Sequence, residues 1–114
     1  MAKIGTITYT GKSKKEYTFN LYPMDTSFNK IGAVYIVTKR EVKDGKGTHT
    51  LLYVGKAEDM STRFDDHHKQ DCFDKKGGNC IGVHQLSDDD DRDTVEKDLI
   101  AVLNPPCNDQ LKTK

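Results

Sequence analysis

Between Ile31 and Gly55 the chain carries two runs rich in β-branched and aromatic residues. The first is Gly32-Ala33-Val34-Tyr35-Ile36-Val37-Thr38, the second Thr50-Leu51-Leu52-Tyr53-Val54-Gly55, and a polar, glycine-containing stretch lies between them. Runs of this kind joined by such a break form a β-hairpin, and the hairpin is the element to which the rest of the chain must add. A turn centred on Asp44 sets Tyr35 opposite Tyr53, with both phenols on one face. A two-residue turn at Asp44-Gly45 slips the register by one and parts them. The sequence leaves both open. As strand residues, the two tyrosines have an ordinary role as half-buried aromatics on a pleated surface.

The remainder reads as further strands and two helices around that hairpin. Ile4, Thr6 and Thr8 alternate, Gly11-Lys12-Ser13 breaks the run, and Tyr17, Phe19 and Leu21 alternate again before Pro23, so residues 1–30 predict an additional N-terminal hairpin. After Gly55, Asp59 suits a helix N-cap, and Met60, Phe64 and His67 or His68 recur at helical spacing. Arg63 and His67 then lie at i and i+4, at the edge of that packed face. Residues 69–79, with Gly77-Gly78, have no period and read as a loop. Cys80 to Leu86 reads as another strand. The acidic run from Ser87 to Asp93 suits a helix N-terminus better than a calcium loop, whose ligand spacing it lacks. In the helix that follows, Val95, Leu99, Val102 and Leu103 mark a buried stripe. Glu96 shares a side with Ile100 and Leu103, a costly place for a carboxylate unless a cation or donor meets it. Pro105-Pro106 ends the helix.

At 114 residues the chain is one domain's worth, 34% apolar and 32% charged, with no Trp. No stretch reaches the length of a membrane span and no apolar leader opens the chain, so a cytoplasmic protein without a membrane partner is expected. The net charge is zero, but it is unevenly spread: through Lys56 there are ten Lys and Arg against four acids, and from Ala57 onward eight against fourteen. The tyrosine hairpin therefore sits in the electropositive half, where Lys12, Lys14, Lys15 and Lys30 could touch a phosphate backbone or simply solubilise an edge. Three cysteines at irregular spacing predict reduced thiols rather than a disulfide framework. A zinc site from His68, Cys72, Cys80 and His84 is a further reading, with buried cysteines near a loop as its rival.

The combination Ala33-Val34-Tyr35, Tyr53-Val54-Gly55-Lys56-Ala57, Arg63, His67 and Glu96-x2-Leu99-Ile100-x4-Pro105-x2-Asn108 resembles the GIY-YIG nuclease family. That family includes homing endonucleases, structure-specific resolvases and the N-terminal domain of the excinuclease C subunit. The resemblance runs from about Ile31 to Asn108 and leaves the N-terminal hairpin outside it. It implies a small α/β (α+β) fold, an antiparallel sheet flanked by helices, in one domain with residues 31–108 as its motif-bearing core. It also implies a catalytic face of Tyr35, Tyr53, Arg63 and Glu96, and a divalent cation, usually magnesium, held chiefly by Glu96. His67 corresponds to the histidine after the arginine and Asn108 to the late asparagine. Ala33 stands where the first motif has glycine directly before Val-Tyr, with Gly32 one place earlier.

Those residue types suit phosphodiester hydrolysis, which requires a deprotonated nucleophile, neutralised phosphate charge and help for the leaving oxygen. Arg63 can donate bidentately to phosphate oxygens. Tyr35, if Lys56 and Arg63 favour its phenolate, can take a proton from water, with His67 assisting. Gly55 lets the backbone approach substrate or the opposing strand. The function expected is that of a metal-dependent DNA endonuclease or its catalytic module, aided by a protein partner for targeting. The alternative is a non-catalytic nucleic-acid or protein-binding module that keeps the fold, and a weaker third reading is a zinc-stabilised interaction domain.

Overall fold

A computed structural model of the chain describes residues 3–62 and 70–108. Within them the order of elements is β1 (Gly5–Thr10), β2 (Glu16–Pro23), β3 (Ala33–Lys43), β4 (Lys46–Ala57), α1 (Gln70–Lys76), β5 (Cys80–Gln85) and α2 (Asp89–Leu103). The five strands form one sheet in the order β1-β2-β5-β3-β4, antiparallel at every pairing. The domain is thus α+β, as the strand and helix patterning predicts. The N-terminal hairpin is bonded into the sheet rather than appended to it, because β5 inserts between β2 and β3.

Both faces of the sheet are covered. On one, Tyr35, Val37, Leu52, Tyr53, Ile81 and Val83 pack with Met60, Phe73 of α1 and Cys107. On the other, Tyr17, Phe19, Val34, Ile36 and Val54 pack with Val95 and Leu99 of α2. This explains why the first half of β3 is apolar without alternation: Ala33 to Thr38 are all buried, since β4 and β5 flank them and both faces are covered. Pairing with β5 ends at Thr38, and from there β3 and β4 continue as an exposed two-stranded ribbon.

The register settles the alternatives for the tyrosines. Asp44 and Gly45, at φ 54° and 77°, form a two-residue turn that pairs Lys43 with Lys46. Uninterrupted, that register would part Tyr35 from Tyr53. A bulge opposite Val37 and Thr38 takes up Leu52 as an extra residue, so Leu52 and Tyr53 both face the α1 side. Beyond it Tyr35 lies opposite Gly55 and Tyr53 opposite Val37, and the two phenol rings share a face with centroids 5.8 Å apart.

Three expectations are corrected. Residues 69–79 are not all loop, because Gln70 to Lys76 form α1, anchored by fully buried Phe73 and closed by Gly77 at φ 79°. The buried stripe of α2 does not include Val102, which is 53% exposed; it runs instead through Arg92, Val95 and Leu99, because Arg92 occupies the position three before Val95. The thiols are not all reduced: Cys72 and Cys107 form a disulfide, leaving Cys80 as the free, buried cysteine. The bond also removes Cys72 from the zinc reading. His84 directs its Nδ1 at the carbonyl of Thr18, 2.9 Å away, and His68 lies outside the described residues. No helix among the described residues is long and apolar enough to cross a membrane.

Candidate active site

The motif residues sit where β3 begins, β4 ends and α2 packs, at one end of the sheet. Strand geometry alone distributes them, because adjacent residues point to opposite faces. Tyr35 is fully buried and Tyr53 nearly so, the latter with its ring edge-on to Phe73 at 5.4 Å. Gly55 is the seat of both rings: a Cβ there would lie 2.6 Å from Tyr53 Cε2 and 2.7 Å from Tyr35 Cζ and Oη. Its lack of a side chain is therefore used for ring packing, on the opposing-strand side of the two roles the sequence offered.

Lys56 is the next residue and points to the α2 face. There its Nζ donates to Asp93 Oδ1 at 2.8 Å, and Lys97 Nζ meets the other oxygen of the same carboxylate at 3.0 Å. The hydrogen bond to Asp93 holds the Lys56 ammonium above the ordinary lysine range, against a smaller opposing effect of desolvation. The negative charges of Asp93, Glu96 and Asp89 add to the rise. Asp93 is correspondingly held below the usual carboxylate range, by Lys56 first and Lys97 second. Glu96 is half-buried one turn further along α2.

The sheet thus brings Tyr35, Tyr53 and Gly55 together on one face, and on the other Lys56 meets Asp93 of α2 within the field of Glu96, with edge strand β4 between the two sets. This corrects the expectation that Lys56 stands beside Tyr35 and favours its phenolate, since beyond the bulge β4 alternates regularly and Lys56, opposite Val34, faces α2. Arg63 and His67 lie outside the described residues. Asn108 is placed at the exposed edge of β4: its side chain accepts from Val54 N at 2.9 Å and donates to Val54 O at 2.8 Å. One residue earlier, Cys107 N donates to the carbonyl of the bulge residue Leu52 at 2.8 Å. The segment after α2 therefore continues the ladder along β4, and the disulfide ties it to α1.

Two local features build α2 at this place. Asp88 caps it, its side chain accepting from Asp90 N at 2.8 Å and Asp91 N at 3.3 Å, so the acidic run serves as a helix start. Arg92, 4% exposed, donates to Leu86 O at 2.9 Å and pairs with Asp89 at 3.2 Å. Gly32 makes room for that guanidinium: a Cβ there would lie 2.3 Å from Nη1. Gly32-Ala33 is therefore a matched pair, Gly32 against Arg92 and Ala33 in the tyrosine-face core.

Asp93 and Arg92 are the residues that sequence reasoning missed here. The available signal was helical spacing, since Asp93 precedes Glu96 by three and Arg92 precedes Val95 by three.

No family model matches the chain, and no curated protein or solved structure matches it. Among the described residues no three histidine, cysteine or acidic side chains form a group able to hold a metal ion. Magnesium needs less than such a cage, being held by one or two carboxylates and completed by water and substrate oxygens. Half-buried Glu96 offers a donor of that kind.

Proposed function

We propose that the chain is a metal-dependent endonuclease, or the catalytic module of one, that hydrolyses phosphodiester bonds in DNA. The observation that carries this reading is that one sheet end holds both sets of motif residues on its two faces: the motif tyrosines in ring contact over Gly55 on one, and on the other, from the same strand, Lys56 turned toward Asp93 and within the field of Glu96. Glu96 is the residue that would hold a divalent cation, magnesium first. When bound, the ion supplies positive charge to the phosphate and the leaving oxygen.

The chain's own groups do the rest. Lys56, kept protonated by Asp93, acts as a fixed cation that attracts and orients a phosphate rather than as a base. Tyr35 and Tyr53 set the shape of the strand pair from beneath, and the Tyr35→Phe variant below reads whether the Tyr35 hydroxyl takes part in the chemistry. Arg63 and His67 keep the roles of hydrogen-bond donor to the phosphate oxygens and of orienting group. A protein partner for targeting belongs to the same proposal; the cytoplasmic location expected from the sequence does not fit the Cys72–Cys107 bond. The disulfide weighs against a reducing compartment, where such bonds rarely persist.

The second reading, a binding module that does not cut, is favoured by one specific observation. Tyr35 is fully buried and projects from the face opposite Lys56, as a core aromatic would.

The test is magnesium-dependent cleavage of labelled duplex, nicked, branched and single-stranded DNA by wild type, Glu96→Gln and Tyr35→Phe, with thermal melts of each. Cutting by wild type that Glu96→Gln loses while its melt holds supports the endonuclease. No cutting of any substrate by folded wild type moves the assignment to the binding module.

A further inference from the structure

The N-terminal hairpin lies outside the GIY-YIG resemblance, yet its turn is fastened to α2 with unusual care. Lys14 adopts φ 77°, and Gly11 N donates to Lys15 O at 2.9 Å, closing a tight turn around Lys12-Ser13. Asp98 then grips it. Its Oδ1 accepts from Ser13 N at 2.8 Å, and its Oδ2 accepts from Ser13 Oγ at 2.6 Å and from Tyr17 Oη at 2.8 Å. Lys12 N donates to the Asp98 carbonyl at 3.1 Å. A Cβ on Gly11 would lie 2.2 Å from Asp98 Oδ2, so the carboxylate is seated directly against that backbone.

The docked turn and α2 enclose an open groove of about 580 Å³, lined among others by Lys12, Lys15, Tyr17, Asp93, Thr94 and Lys97. Its two carboxylates are already engaged: Asp98 holds Ser13 and Tyr17, and Asp93 holds Lys56 and Lys97. Lys12, Lys14 and Lys15, by contrast, make no ion pair among the described residues. Asp93 links the groove directly to Lys56, whose ammonium also feels the charge of Glu96. The positive charge outside these ion pairs thus gathers at the turn, and the Lys97–Asp93–Lys56 chain leads from it toward the residue proposed to hold the metal.

We infer that this groove is the binding track for the phosphate backbone of the DNA substrate, with the N-terminal hairpin supplying its cations. The inference rests on the endonuclease reading for the identity of the substrate and adds where the strand lies. Flexible lysines on an unanchored turn would lose much of their attraction in ordering. Asp98 removes the backbone part of that cost by fixing the turn before the substrate arrives.

The experiment uses the full chain and a fluorescein-labelled duplex, in EDTA so that binding is read without cutting, by anisotropy across a salt series. The Lys12→Glu/Lys15→Glu variant is compared with Lys75→Glu/Lys76→Glu, which makes the same charge change at the end of α1; thermal melts verify that both fold. The expected result is a loss of more than about tenfold in affinity for the groove variant and a salt dependence shallower by roughly two counter-ions. The α1 variant should stay within about twofold of wild type, because the same charge change lies away from the track.

Equal weakening by both variants, no weakening by either, or no duplex binding by wild type would overturn the inference. Parallel magnesium assays separate it from the reading beneath it. Cutting by wild type with an unaffected groove variant refutes the groove alone. Groove-dependent binding with no cutting by any form refutes the nuclease and leaves the groove as a DNA-binding surface.

Discussion

Replacing Gly55 by alanine would place a methyl carbon 2.6 Å from Tyr53 Cε2 and 2.7 Å from Tyr35 Cζ and Oη. Non-bonded carbons rest at about 3.5–4.0 Å, so each ring would have to recede by roughly 1 Å. Neither has room to do so. Tyr35 is fully buried, and Tyr53 is braced against Phe73 with ring centroids 5.4 Å apart. Overpacking a core position costs about 1–3 kcal/mol, and two immobile rings put this site near the upper end. Removing a glycine returns roughly 0.4–1 kcal/mol by restricting the unfolded chain. The net loss is then about 2 kcal/mol, which for a chain of 114 residues lowers the melting temperature by roughly 8 °C. Thermal and urea melts measure it, and near-ultraviolet circular dichroism reports the ring packing through tyrosine, because the chain has no tryptophan. Gly5→Ala is the control, since a Cβ at Gly5 meets nothing within 4 Å. If Gly55→Ala melts at or above the wild-type temperature with an unchanged tyrosine spectrum, the ring-seat argument is wrong and substrate approach becomes the reason for this glycine.

The Cys72–Cys107 bond closes 35 residues of sequence, and chain-entropy reasoning gives such a loop about 3–4 kcal/mol of stabilisation. Reductant should lower the urea midpoint of wild type but not of a Cys72→Ser/Cys107→Ser variant, and thiol titration of unreduced, denatured protein should find the Cys80 thiol alone; superimposable transitions would count against the bond. Asp98 is held below the usual carboxylate range by Ser13 first and then Tyr17. Its contribution is therefore complete above about pH 4, the unfolded value, and is lost as pH falls through the lower folded value. Asp98→Asn should flatten the acid limb of the stability profile, and an unaltered limb would refute the role. Arg92→Met keeps the aliphatic stem and loses the donors to Leu86 O and Asp89, an expected cost of about 1.5–3 kcal/mol in a urea melt. A cost near zero would show that the guanidinium serves only as packing.

The strands were legible because their residues obey local rules. Tyr17, Phe19 and Leu21 alternate, and all three are buried where the alternation predicts. The capped start of α2 at Asp88 and its end before Pro105 could likewise be read from residue chemistry. Helix α1 was not legible, because seven residues with one buried side chain, Phe73, carry no period. Val102 misled, and Arg92 went unread, for a related reason: hydropathy ranks valine as core and arginine as surface. At Arg92 a carbonyl and a carboxylate meet the buried charge, and that compensation has no sequence signature.

The sequence by itself determined that Tyr35, Tyr53 and Gly55 would lie on paired strands, that an acidic cap would start the last helix, and that the basic residues would gather in the first half of the chain. These depend on neighbours a few residues apart. Only the tertiary structure decided the face on which each motif residue falls, because a single bulge at Leu52 reverses the side-chain order along β4. It also decided that Lys56 meets Asp93 rather than Tyr35, that Cys72 finds Cys107, and that Asp98 fastens the N-terminal turn. Those partners are 35 to 85 residues apart, and what joins them is the packing of two layers on a sheet whose strand order departs from chain order.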